Sequence, residues 1–162
     1  MTYRVALVCL GNICRSPMAH VVLEHRLAAA GLDDRVEVAS SGTGDWHVGH
    51  PMDPRAAATL AAAGYDPTRH RARTFSPDWY AENDLLLTMD ASNYADVVDH
   101  APTVGQVDQV RMFREFDPDA SEDDRDVPDP YYGGDDGFAA VLAMIERTTD
   151  ELVARLPDLM DR

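Results

Sequence analysis

The stretch "VALVCLGNICRSPMAH", Val5 to His20, carries the architecture of the chain in its first turn. With Tyr3 and Arg4 before it, its first half is a short, β-branched apolar run that ends at Cys9 and reads as a buried strand. Its second half sets Ser16 and Pro17 where a helix N-cap and first helical residue belong, and Gly31 stands just past the apolar periodicity that follows. Between the two lies a glycine-containing turn that holds both of the chain's cysteines, Cys9 and Cys14, and then Arg15. In open parallel sheets, ligands bind where a strand's carboxyl end turns into a helix N-terminus, and this turn occupies such a place.

Further along, the same alternation repeats. "RVEVASSG" (35–42) reads as a second strand, "DPRAAATLAAAG" (53–64) as a helix stopped by Gly64, and "DLLLTMD" (84–90) as a third strand. "ASNYADVVDHA" (91–101) is a helix before Pro102, "QVRMF" (109–113) a fourth strand, and "GFAAVLAMIERTTDELVARL" (137–156) a long amphipathic closing helix. Strands alternating with helices imply an α/β fold, a mostly parallel sheet with helices on both faces. The acidic, Pro- and Gly-rich stretch "DPDASEDDRDVPDPYYGGDDG" (117–137) reads as a long ordered loop of the same unit, because the last helix needs the sheet to cover its apolar face. Residues 1–162 are expected to form one domain.

Composition narrows the chemistry. An apolar share of 45% and a charged share of 27% are those of a globular chain. The apolar runs fall far short of the roughly 20 residues of a bilayer span, and no signal-peptide pattern is visible. A cytoplasmic setting with reduced thiols is the expectation. A net charge of −15 argues against a nucleic-acid or anionic-membrane partner gripped by a broad basic face. No lysine occurs, which excludes a Gly-Lys phosphate loop, a lysine Schiff base and a lysine general base.

Any anion must therefore be met locally, and the first turn is equipped for it. Leu10, Gly11, Asn12, Ile13 and Cys14 can curl so that successive backbone N–H groups converge, with the following helix adding its own unsatisfied donors. Such a cradle suits a phosphate. Cys9 at its base would be stabilised as a thiolate by the same donors and by the Ser16 hydroxyl, while Arg15 offers a planar fork for two phosphate oxygens. A zinc site from Cys9, Cys14, His20 and His25 is disfavoured, because both histidines would point away along the helix; no metal and no cofactor are expected.

This Cys-(x)5-Arg-Ser arrangement, between first strand and first helix and with Gly-Asn inside it, resembles the signature of the low-molecular-weight protein tyrosine phosphatases. "SSGTGDWHVGHPMDPRA", "HRARTF", "LLLTMDASN", "FDP" and above all "DPYYG" extend the resemblance over nearly all of residues 3 to 156. It implies a flavodoxin-like, doubly wound sheet of strand order 2-1-3-4, and attack by Cys9 on phosphotyrosine to give a cysteinyl-phosphate. It implies that Asp129, in the Asp-Pro-Tyr-Tyr motif, protonates the leaving oxygen and later activates water. Pro130 restricts Asp129 to extended backbone, and Asp126 is the rival carboxylate at similar reach.

The resemblance also implies that Trp46 and Tyr131, with Tyr132 nearby, wall the substrate crevice, and that Asn12, Ser40 and His70 support the phosphate loop. Cys14 is implied as a partner that captures an oxidised Cys9 in a reversible disulfide; a buried apolar role is the alternative. His47 and His50 are left outside the site, and His20, His25 and His100 read as helix-surface residues. Tyrosine-phosphorylated proteins are the expected partners, and phosphate or other oxyanions the expected inhibitors.

Three other functions share parts of this pattern. Arsenate reductases of similar fold need further cysteines to carry a disulfide onward, and this chain has none beyond Cys9 and Cys14. Relatives that prefer phosphoarginine tend to carry threonine where Ile13 stands. A phosphate-reading module without turnover would not need Asp129.

Overall fold

The computed structural model describes residues 2–131, 133 and 135–161. In chain order the elements are β1 (Tyr3–Cys9), α1 (Arg15–Ala29), β2 (Val36–Gly42), α2 (Pro54–Ala62), the short α3 (Trp79–Glu82), β3 (Leu85–Thr88), α4 (Ala91–Asp99), β4 (Val110–Met112) and α5 (Asp135–Met160). Two 3-10 turns, Val104–Gln109 and Phe113–Phe116, flank β4.

The four strands form one parallel sheet of order β2-β1-β3-β4. β1 lies in its interior, paired from Tyr3 with Val36 to Cys9 with Gly42 on one side, and from Val5 with Leu85 to Val8 with Thr88 on the other. This is the flavodoxin-like arrangement expected from the sequence. The two-residue period of β1 sorts its side chains between two cores. Val5, Leu7 and Cys9 face the larger one, built with Met18 and Val22 of α1, Leu60 of α2 and Phe138 and Ile145 of α5. Ala6 and Val8 face the smaller one, with Trp79, Tyr80 and Val97. The last inward position of β1 on the α1 side is thus Cys9, which places its sulfur under the first turn of α1.

Two sequence expectations need correction, and a third point lies outside them. Ser16 is not the N-cap of α1: the helix starts at Arg15, with Cys14 in the cap position and no side-chain cap bond. The Ser16 hydroxyl is engaged instead with Cys9 and Asn12. The final helix does not stop before Pro157 but continues through it to Met160; a proline so close to the end removes one hydrogen bond and leaves the preceding turns intact. Third, α3 and the two 3-10 turns were not foreseen, being too short for a periodicity to register. Of the stretch read as a loop, residues 117–131 form an ordered loop as expected, pinned by Val127, which is fully buried in the same core as Phe113, Phe116 and Phe138, while residues 135–137 already belong to α5.

Candidate active site

The turn from Cys9 to Ser16 is built on two backbone devices. Asn12 adopts φ +56°, a left-handed conformation that asparagine tolerates better than most residues. Beneath it, Gly42 leaves room where any Cβ would come within 2.6 Å of the Leu10 carbonyl oxygen and 3.0 Å of the Asn12 nitrogen. The "HRARTF" segment beside β2 then holds Asn12 from below: the Arg73 N–H donates to Asn12 Oδ1 at 2.9 Å, and His70 Nε2–H to the Asn12 carbonyl at 2.7 Å. Burial, with His20 and Arg71 nearby and against the pull of that hydrogen bond, pushes the His70 pKa down, so the ring is neutral and donates through Nε2.

Inside the turn, Asn12 Nδ2 donates to Ser16 Oγ at 2.8 Å, and Ser16 Oγ lies 2.9 Å from Cys9 Sγ. The Asn12 N–H points at the same sulfur, 3.3 Å away. Cys9 therefore sits at the base of a donor-lined ring with its sulfur already in contact with a hydroxyl and a backbone N–H. Cys14 is also a free thiol. Its burial, reinforced by Asp53 and Cys9, raises its pKa far above the ordinary thiol range, which keeps it protonated.

Arg15 enters from the first residue of α1, and its side chain is only 3% exposed. It donates to Asp90 Oδ2 at 2.6 Å and to the Val127 carbonyl at 3.0 Å, and its other terminal nitrogen lies 3.5 Å from Asp129 Oδ2. Burial opposes its charge, yet Cys9, Asp90 and Asp129 outweigh that penalty and raise its pKa further. Asp90 was not read from the sequence as part of the site. An Asp before a helix signals an N-cap, and its Oδ1 does accept from the Asn93 N–H; nothing local betrays that Oδ2 reaches Arg15.

The two rival carboxylates are separated by their surroundings. Asp126 Oδ1 accepts from the Ala91 N–H at 2.9 Å, which commits it to the first turn of α4. Asp129 accepts from the Tyr131 N–H through Oδ1 at 3.0 Å, leaving Oδ2 aimed at the pocket beside Arg15. That pocket, about 330 Å³, has Cys9 and the phosphate loop as floor and Trp46, His47, Asp129 and Tyr131 as walls. A larger cavity of about 520 Å³ lies behind the loop, between α1 and residues 64–70, and reaches neither cysteine.

Further readings change with the side chains in place. His47 belongs to the pocket wall after all, its ring 6.4 Å from that of Tyr131 and against Gly11. Trp46 is 66% exposed, its ring lying over Gly44. The Ser40 hydroxyl, expected under the loop, pairs instead with His20 Nδ1 of α1 at 3.1 Å. His20 is accordingly half-buried and not a surface residue, its other nitrogen 3.2 Å from Glu24. His25 and His100 are exposed as expected. Tyr132 lies outside the described residues. Among the described residues no group of His, Cys, Asp and Glu is arranged to hold a metal ion, and no helix is long and apolar enough to cross a membrane.

Known proteins share this arrangement along nearly the full length of the chain. Residues 4–160 match the family model of low molecular weight phosphotyrosine protein phosphatases. A low molecular weight protein-tyrosine-phosphatase of Streptomyces coelicolor is 45% identical over 161 residues, 99% of this chain and 98% of that one. Low molecular weight protein-tyrosine phosphatase A of Mycobacterium tuberculosis is 46% identical over 146 residues, 88% of this chain and 84% of its own. Among solved structures, a protein tyrosine phosphatase of Entamoeba histolytica with Hepes in the active site superposes with a TM-score of 0.91 at 29% identity, covering 97% of this chain and 98% of that one. With fold, loop and sequence in agreement, the chain belongs to the low molecular weight phosphotyrosine protein phosphatase family.

Proposed function

We propose that the chain, as one domain, hydrolyses phosphotyrosine in proteins, and small aryl phosphates, through a cysteinyl-phosphate on Cys9. The observation that carries this reading is convergence: the Cys9 sulfur, the Arg15 fork and the Asp129 oxygen that faces Arg15 line one pocket of about 330 Å³.

The phosphate enters with three oxygens against the loop N–H groups and the Arg15 guanidinium, in the place where charge develops during transfer. Cys9 Sγ attacks phosphorus in line with the tyrosyl oxygen, the P–O bond breaks, and Asp129 gives its proton to the departing oxygen. Asp129, now a carboxylate, takes a proton from water as that water attacks the cysteinyl-phosphate, which returns the thiolate and releases phosphate. Ser16 Oγ, 2.9 Å from the sulfur, stabilises it both as nucleophile and as leaving group. No metal or cofactor takes part. Hepes, a sulfonate, in the active site of the Entamoeba relative supports oxyanion inhibition at this loop.

Trp46 and Tyr131 wall the entrance, and Ile13, nearly buried at the pocket edge, makes that wall apolar, which favours an aryl over a guanidinium leaving group. A reducing, cytoplasmic setting belongs to the same proposal, since Cys9 must stay a free thiol. Cys9→Ser tests the reading: the variant keeps the fold and the phosphate cradle but loses turnover of phosphotyrosine and of 4-nitrophenyl phosphate. Turnover near the wild-type rate in that variant would rule out the covalent route.

A further inference from the structure

Asp129 belongs to a loop remote in sequence from Cys9, and a general acid is useful only if it is held at a fixed distance from the phosphate. Arg15 binds that loop at the Val127 carbonyl, and Arg114 binds it at the Asp126 carbonyl, 2.8 Å away, so both of these contacts precede Asp129. On the other side of Asp129 the loop is held from the N-terminus of α2. Arg55 Nη2 donates to the Tyr131 carbonyl at 2.8 Å and Nη1 to the Gly133 carbonyl at 3.3 Å. Its guanidinium also lies over the Tyr131 ring, 5.4 Å from the centroid, and over the buried Phe138 ring at 4.8 Å.

Arg55 is itself fixed. Asp53, only 8% exposed, caps α2 by accepting from the Arg55 and Ala56 N–H groups, and its carboxylate receives Arg55 Nε and Nη2, each at 3.3 Å. The Asp53 N–H in turn donates to the Ile13 carbonyl at 2.9 Å, inside the phosphate loop. An unbroken chain of contacts thus runs from the loop that holds the nucleophile, through Asp53 and Arg55, to the backbone on the far side of the acid.

Resting on the phosphatase reading above, we infer that Arg55 is a positioning residue for that reaction: with Asp53 it sets the distance between the Cys9 loop and the Asp129 loop. It touches no reacting atom; it acts through Asp129. A planar guanidinium suits the task, because it serves the Asp53 carboxylate and two carbonyls from one rigid group and stacks on two rings meanwhile; a lysine ammonium has neither the fork nor the plane.

The test compares kcat/KM of wild type, Arg55→Gln and Arg55→Lys on phenyl phosphate and on 2,4-dinitrophenyl phosphate, with the same substitutions repeated in an Asp129→Asn background and with melting curves for every variant. Loss of acid alignment should lower kcat/KM for phenyl phosphate by about 10- to 100-fold, and by less than about threefold for the substrate whose phenolate departs unaided. In the Asp129→Asn background the Arg55 effect should nearly vanish, since two substitutions acting through one group are not additive. Arg55→Lys, which keeps the charge near Asp53, should recover part of the loss. Equal losses on both substrates, no loss on either, or an undiminished Arg55 effect without Asp129 would each overturn the inference while leaving the phosphatase reading intact. If Arg55→Gln does not fold, Arg55→Lys carries the same comparison. Absence of turnover by the wild type on both substrates would overturn the phosphatase reading and this inference with it.

Discussion

The phosphate loop and the acid loop line the same pocket but are held by opposite means. Residues 9–16 are fixed mostly from within and from immediately below: a left-handed Asn12, a hydroxyl on a sulfur, and the packed end of β2 at Gly42. The acid loop carries Asp129 with little regular structure of its own, and its carbonyls are gripped by arginines from three other parts of the fold, Arg15, Arg55 and Arg114. The Cys9 sulfur is thus placed largely by a short motif, supported from below through Asn12 by His70 and Arg73, whereas Asp129 depends on arginine side chains up to 112 residues away. It also follows that Arg15 serves both regions, reaching the cradle from α1 while holding Val127 and facing Asp129.

The largest effect should come from breaking that shared element. Arg15→Lys keeps the charge but loses the fork, and with it the simultaneous contacts to phosphate, Asp90 and Val127. We expect a loss in kcat of at least about 10²-fold, the scale of one preorganised transition-state donor. Retention of a tenth of the rate would show that the guanidinium plane is not needed.

A second way to sharpen the contrast is to loosen the acid loop's remote anchor without touching the pocket. The Asp117 side chain is fully buried against Arg114 and Arg147, at 2.9 and 2.7 Å. Burial alone would raise its pKa, but hydrogen bonds from Arg147, the Asp119 N–H and Arg114 win and hold it far below the ordinary carboxylate range. A depressed folded-state pKa contributes stability that is fully present above the unfolded value near 4 and lost as pH falls below it toward the folded value. Asp117→Asn should therefore cost about 2–3 kcal/mol at neutral pH, somewhat under the range of fully enclosed pairs because Arg147 is 35% exposed. The variant should also show a shallower acid limb in denaturant unfolding below pH 4. An unchanged acid limb would mean the network does not hold the loop.

The smallest effect concerns Cys14. In the absence of oxidant, Cys14→Ser should turn over at a rate within about threefold of wild type, since Cys14 is a protonated wall residue and not a nucleophile. After peroxide and then dithiothreitol, wild type should recover more activity than Cys14→Ser, with a Cys9–Cys14 link in the mass spectrum before reduction. Equal recovery assigns Cys14 to packing alone.

The same contrast explains what was legible in the sequence. The strands, the parallel sheet and the Cys9 loop follow from local patterns, apolar runs and a Gly-containing turn, which depend on neighbours in the chain; the strand order came only through the family resemblance. Asp129 is singled out by the resemblance of its motif and not by composition, since it stands among many carboxylates; what sets Asp126 apart structurally is its oxygen on the Ala91 N–H. Asp90, Arg55 and the Ser40–His20 pair were missed because each acts across the fold. Ser16 was misread in one respect: Ser-Pro before a helix predicts an N-cap, but the hydroxyl is committed to the Cys9 thiol, as expected from the sequence, and to the Asn12 amide that the curled loop brings within reach.

The central claim is that Asp129, and not its neighbour in the same acidic run, delivers the proton across the pocket to an oxygen leaving a phosphate held over Cys9. The most direct test measures the rate of cysteine phosphorylation in Asp129→Asn and Asp126→Asn for a series of aryl phosphates of rising leaving-group basicity. The account predicts a loss for Asp129→Asn that grows to about 10²–10⁴-fold at phenyl phosphate and shrinks toward nothing for dinitrophenyl phosphate, with Asp126→Asn flat across the series. A graded loss in Asp126→Asn, or the same loss for every leaving group in Asp129→Asn, would contradict it.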